Sequence, residues 1–322
     1  MKNSHQLLLL FGMPRSGTTW LAKMIDSAPD VIYRHEPDSE NKIAMPTITY
    51  KNERYDQIIK EYCESLINCN TVKICGKMPF FKKSYYNPVT YLLFKNSVYL
   101  SKIAKRFHCS TKIIELIDRD RKNLFLLWKS IESIGRSEAI MKAMPQCKMI
   151  YIIRNPCGHI ASVLSGEKYN EFSSAVQAWE DYGIFEKLLK TEAAKKRGLT
   201  LDSIKSYNAI ERLAYRWLLY NEHALTSLND FASRTFIVRY EDICERPIEK
   251  LKEIFEFSGL NWNEQTEIFI KKSISLDSGG YYSVYKNPVI SSEKWKKQLS
   301  DKDVETIYKT ILNSKCGDLY KN

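Results

Sequence analysis

Several features that would fix the class of this chain at once are missing from it. No apolar run is long enough to cross a membrane. The most apolar long segment, about residues 89 to 106, is interrupted by Lys95, Ser97, Lys102 and Lys105 and reads as an amphipathic helix. The eight cysteines, at 63, 69, 75, 109, 147, 157, 244 and 316, have no metal-ligand spacing; reduced thiols in a cytoplasm are expected, with a disulfide or two left open. No Pro/Gly/Ser linker, internal repeat or low-complexity tract divides the 322 residues, so one domain over 1–322 is expected. Lys2 before Leu7-Leu8-Leu9-Leu10-Phe11 imitates a signal peptide, but the run is short and no cleavage site follows; a first strand is expected there.

What is present begins directly after that run. Residues 6 to 20 read as an apolar strand, a turn bracketed by Gly12 and Gly17, and a helix. The glycines have the spacing of a nucleoside-triphosphate phosphate loop, yet the residue after the second one is Thr18, not lysine. That lysine normally spans the β- and γ-phosphates, so its absence argues against ATP or GTP. Backbone amides at a helix start bind an anion whichever nucleotide carries it. The positive charge has moved inside the turn, to Arg15.

The run Phe11-Gly12-Met13-Pro14-Arg15-Ser16-Gly17-Thr18-Thr19-Trp20-Leu21 closely resembles the 5′-phosphosulfate loop of sulfotransferases, which take their sulfuryl group from 3′-phosphoadenosine-5′-phosphosulfate (PAPS). The resemblance implies a second half-site for the 3′-phosphate. Met149–Ile153 reads as a strand buried on both faces, followed by Arg154-Asn155-Pro156, with Asn155 as N-cap and Ser162 on the second turn of a helix. Arg154 and Ser162 are similar to the family's 3′-phosphate contacts, and an arginine fork suits a phosphate. Phe236–Ile243 with Pro247, and Ser292–Ser300 around Trp295, resemble later segments of the family, the last of its carbohydrate-type members.

The resemblance implies an α/β, three-layer, mainly parallel sheet wrapped by helices, in the P-loop-like sulfotransferase fold. It also implies in-line sulfuryl transfer to an acceptor hydroxyl or amine, release of adenosine 3′,5′-bisphosphate, and no required metal. Arg15 would stabilise the leaving phosphate. Ser16, Gly17, Thr18 and Thr19 would hold the 5′-phosphosulfate, while Trp20 would pack near the adenine or seat the helix.

An acceptor hydroxyl needs a base. His35-Glu36-Pro37 follows the second strand, and Glu36-Pro37 is similar to the Glu-Pro of carbohydrate sulfotransferases; burial beside the sulfuryl group would raise its proton affinity. His35 is the rival base, and a plain structural turn the third reading. Lys77 is a further leaving-group contact or a solvated lysine. In many relatives a lysine ends the strand corresponding to Thr111–Glu115; here Glu115 holds that place and marks a different acceptor.

Strands are expected near 6–11, 31–34, 112–117, 148–154 and 235–240. Helices are expected near 17–27, 54–68, 121–133, 156–165, 172–190, 207–228, 247–258 and 301–312, with Trp217 in the core. Acceptor specificity is expected within 38–110 and 166–235. The net charge of +11 suits an anionic donor, and equally a nucleic acid. Two rivals remain: a phosphate-loop kinase, disfavoured by the missing lysine, and a basic binding module, disfavoured by lysines scattered as solvated charge. The expected partner is a sulfuryl acceptor, a sugar ahead of an alcohol or phenol, with neither nucleic acid nor a membrane span.

Overall fold

The structure, a computed structural model, describes residues 5–51, 53–109, 111–118, 121, 123–169, 176–276, 285 and 287–321. Five strands, β1 (Gln6–Phe11), β2 (Val31–His35), β3 (Phe125–Ser130), β4 (Lys148–Ile153) and β5 (Thr235–Arg239), form one sheet in the order β2-β3-β1-β4-β5. Every pairing is parallel, as expected where strands read as continuous apolar runs covered on both faces. Successive side chains of β1 go to opposite faces. Leu9 and Phe11 join one core with Trp128, Tyr151 and Trp217; Leu8 and Leu10 join the other with Leu127, Ile152 and Phe255.

The helices include α1 (Thr18–Asp26), α2 (Pro88–Arg106), α3 (Pro156–Lys168), α4 (Tyr182–Leu188), α5 (Ala209–Leu228) and α6 (Pro247–Ser258); α2 lies apart from the site. Asn155 caps α3 as its sequence predicts, accepting from the backbone N–H groups of Cys157 and Gly158, with Pro156 at the first helical position. Asn208 and Glu211 form a reciprocal capping box at the start of α5. Trp217 is fully buried, as expected. Among the described residues, no helix is long and apolar enough to cross a membrane.

Two expected elements are corrected. Residues 121–133 are not a helix: Phe125–Ser130 is strand β3, paired to both β1 and β2. Residues 112–117 are not a sheet strand but irregular chain, with one bridge from Lys112 to Thr71. The expected helix 172–190 is shortened to Tyr182–Leu188, with turns over 178–180; its start at 172–175 lies outside the described residues.

The parallel register brings the strand ends into step. Phe11 is level with Ser130 and Tyr151, and His35 with Lys129. The segments following β1, β2, β3 and β4 therefore all leave from one edge of the sheet, where ligands of such folds bind.

Candidate active site

The phosphate loop is built on two left-handed residues, Arg15 (φ 72°) and Gly17 (φ 85°), with the Ser16 N–H donating back to the Met13 carbonyl. Gly12 is required by space, because a Cβ there would lie 2.4 Å from the Ile152 carbonyl oxygen. At Gly17 a Cβ would lie 2.5 Å from the Tyr240 ring, so this ring underlies the loop. Tyr240 also carries the Arg154 guanidinium over its face at 4.8 Å, and Trp20 packs edge-on to it at 6.0 Å. The Trp20 indole donates to Ser273 Oγ at 2.9 Å, which seats α1.

The two expected half-sites meet. Arg154 Nη1 donates to the Arg15 carbonyl at 2.9 Å, and Arg15 Nε donates to Ser162 Oγ at 3.1 Å. Arg154 is positioned from behind by Trp217, whose indole donates to the Arg154 carbonyl at 3.0 Å. Its Nη2 donates to the carbonyl of Ser291, in the short helix Pro288–Glu293 that precedes Trp295. Arg154 Nε is buried without a hydrogen-bond partner among the described residues. Gly158 leaves open the space beside that nitrogen: a Cβ there would stand 3.1 Å from it and 3.3 Å from Trp295. A buried guanidinium N–H without an acceptor is costly, and an anionic oxygen would satisfy it.

At the ends of β2 and β3, Glu36 and Lys129 form a close ion pair. Glu36 takes a left-handed conformation (φ 48°) and its N–H donates to the Lys129 carbonyl at 2.9 Å. Burial pushes the Glu36 carboxyl up, but the Lys129 charge and its hydrogen bond outweigh burial and hold it down to about 2. The expected rise in its proton affinity is thus reversed, for a reason the sequence hides: the cation arrives from residue 129. The Lys129 amine is held below the usual lysine range by burial, Glu36 opposing the shift. His35 is buried, its Nδ1 2.7 Å from the Tyr33 hydroxyl and its Nε2 3.9 Å from Glu36. Burial and then the Lys129 charge push its imidazole well below the usual value, so it is neutral.

Lys129 also corrects the reading of Glu115. A lysine does stand near the end of the strand beside β1, as its last residue but one; that strand is β3, not 112–117. Glu115 instead accepts both terminal nitrogens of buried Arg34, at 3.1 and 2.7 Å, and fastens the 111–118 segment to β2. The Lys77 amine is lowered by burial, with Glu36 opposing, and its carbonyl accepts from Lys23 at 3.1 Å.

Beside Met13, Pro14 and Arg15 opens a cavity of about 690 Å³, walled chiefly by apolar side chains such as Ile131, Val163 and Leu213. Its polar lining includes His159, Glu167 and Arg216. Burial first, then the charges of Arg154, Arg216 and Arg15, push His159 down to about 3. Neither His159 nor Lys129 is legible as a site residue in the sequence; the three-residue spacing of His159 and Ser162 on α3 is the available signal for the former.

A model of the sulfotransferase family matches residues 8–264, more than half of the chain. The chain belongs to the sulfotransferase family. The family is one of enzymes that transfer a sulfuryl group. Mouse carbohydrate sulfotransferase 3 is 20% identical over 96% of this chain and 66% of its own length, and the human protein 26% identical over 53% and 32%. Mouse carbohydrate sulfotransferase 1 is 21% identical over 93% and 75%. The chain thus spans about two thirds or less of the two carbohydrate sulfotransferase 3 relatives. Among solved structures, mouse sulfotransferase SULT7A1 complexed with PAP is similar at 14% identity and TM-score 0.46, over 98% of this chain and 88% of that one.

Proposed function

We propose that this sulfotransferase acts on a sugar hydroxyl held in the 690 Å³ cavity, with Glu36 receiving the proton and Arg15 and Lys129 stabilising the leaving phosphate. In the transfer, the acceptor oxygen bonds to sulfur as the bond from sulfur to the bridging oxygen breaks, the electron pair staying on the phosphate. The observation that carries this reading is the convergence at one sheet edge of the phosphate loop, the Arg154–Arg15–Ser162 chain and the Lys129–Glu36 pair.

Each residue has one task. The Ser16 to Thr19 backbone and hydroxyls hold the 5′-phosphosulfate at the positive end of α1. Arg154, through its unpartnered Nε, and Ser162 hold the 3′-phosphate. Glu36 is a weak base while Lys129 is its full partner. An anion in the loop gives Lys129 a second partner, and whatever attraction Lys129 gives it is withdrawn from Glu36, whose proton affinity rises. His35, neutral and bonded to Tyr33, orients this pair rather than acting as base.

A sugar acceptor is supported by the similarity to carbohydrate sulfotransferases 3 and 1. The single domain 1–322, with specificity in 38–110 and 166–235, is supported by the cavity wall, which takes Thr47 from the first stretch and Ile184, Leu213 and Arg216 from the second. A cytoplasmic setting is supported by eight unpaired thiols, seven of them buried. Incubation with labelled PAPS and pooled mono- and oligosaccharides, read by mass spectrometry, should show a gain of one SO3 on a sugar. Transfer to phenols or amines with none to sugars would remove the acceptor assignment.

A further inference from the structure

Helix α2 has no part in the site, yet among the described residues it carries a dense row of exposed large apolar side chains. Its core-facing side is Phe94, Ser97, Val98 and Ser101. On the opposite side Val89, Leu92, Leu93, Tyr99, Leu100 and Ile103 are each exposed by 43% or more, and Phe107, just past the helix end, by 74%. The spacing of three, four and seven residues aligns them in one outward stripe along the helix, interrupted by exposed Asn96. A soluble surface rarely leaves so many large apolar groups contiguous and in water without a partner for them.

Charge identifies the partner. Between Glu64 and Glu115 the chain has nine lysines and arginines and no aspartate or glutamate. On the helical wheel Lys95, Lys102 and Arg106 fall along one flank of the stripe. The Lys95 ammonium lies over the Tyr91 ring at 5.5 Å and that of Lys102 over Phe80 at 5.7 Å, both rings packed against the core, so these two cations sit on the flank between the core-facing side and the stripe. A second copy of this chain would set one acid-free basic segment against another. A single helix presents a ridge rather than a groove, and an apolar ridge edged by cations matches an acyl layer topped by anionic headgroups.

We propose that α2 lies in the plane of an anionic membrane surface, with the stripe from Val89 to Phe107 at the headgroup–acyl boundary and Lys95, Lys102 and Arg106 on lipid phosphates. Through α2 the enzyme then makes a peripheral contact with the membrane surface.

The test is flotation of the full chain with vesicles of phosphatidylcholine alone and of phosphatidylcholine mixed with phosphatidylserine. Binding is expected to the mixed vesicles only, weakened by added salt. A Leu92→Ser, Leu100→Ser, Ile103→Ser triple variant, and separately Lys95→Glu with Arg106→Glu, should each bind at least tenfold more weakly. Both should retain adenosine 3′,5′-bisphosphate affinity, which certifies the fold. A Leu100→Trp variant should show blue-shifted emission, quenched by brominated lipid. Failure of the full chain to float with anionic vesicles, or undiminished flotation of the triple variant, overturns the proposal. Self-association or capture of an acidic protein abolished by the triple variant, without vesicle binding, overturns it equally and gives the stripe to a protein.

Discussion

Glu36 and Lys129 show how far a residue's chemistry depends on a neighbour distant in sequence. Replacing Lys129 with alanine removes both a transition-state cation and the group that keeps Glu36 acidic. Turnover should fall by about 10²- to 10³-fold, the range for one lost electrostatic stabiliser, and single-turnover kinetics would show it. Glu36→Gln should lower kcat while leaving adenosine 3′,5′-bisphosphate affinity nearly intact; full activity in that variant would move the base elsewhere. Arg154→Ala should weaken binding of the same nucleotide by about 1.5 to 3 kcal/mol, the range for a charge-assisted contact. Calorimetric titration decides this, and an unchanged Kd would detach Arg154 from the 3′-phosphate.

At the scale of elements, the phosphate loop is fixed by two glycines that cannot be replaced for different reasons. Gly12 lacks room and Gly17 needs its left-handed backbone as well as room for Tyr240. Gly12→Ala should destabilise the fold by about 1 to 3 kcal/mol, as overpacking against a backbone atom does, and should also lose nucleotide binding. A denaturant titration showing no loss would mean that the loop relaxes freely. β3 reads as a helix in the sequence because a strand buried on both faces has no alternation. The run Phe125-Leu126-Leu127-Trp128 is then indistinguishable by periodicity from a buried helical turn. The 112–117 segment misled in the opposite sense: Ile113, Ile114 and Ile117 are strand-forming residues, yet Ile114 is 51% exposed and the segment is pinned by Glu115 to Arg34 rather than by a ladder.

For the whole molecule, the buried histidines set a pH dependence. His159 is neutral when folded, down to about 3, and His35 is likewise held well below its usual value. The unfolded chain protonates both below about 6.5, so it binds more protons and stability falls as pH drops through that window. Glu36, depressed to about 2, adds a loss below about 4.5 in the same direction. At pH 5, His159 alone should account for about 2 kcal/mol of the loss relative to pH 8. Urea midpoints of the native chain and of His159→Asn at the two pH values measure it; an equal drop in both would assign the loss elsewhere. Adenosine 3′,5′-bisphosphate at a hundredfold excess over its Kd should stabilise the fold by about 2.7 kcal/mol, with no comparable shift from magnesium-ATP.

The sequence by itself determined the phosphate loop, the Arg154–Asn155–Pro156 turn, the family and most of the parallel sheet. These depend on contacts within one strand–turn–helix unit, where glycine conformation, N-capping and apolar runs are read locally. The tertiary structure alone decided that Lys129 faces Glu36 across 93 residues, that Arg154 reaches Arg15 across 139, and that His159 lies among three arginines. It also decided that one side of α2 is left in water. Such pairings are set by which strands become neighbours and in what register, and no periodicity along the chain encodes them.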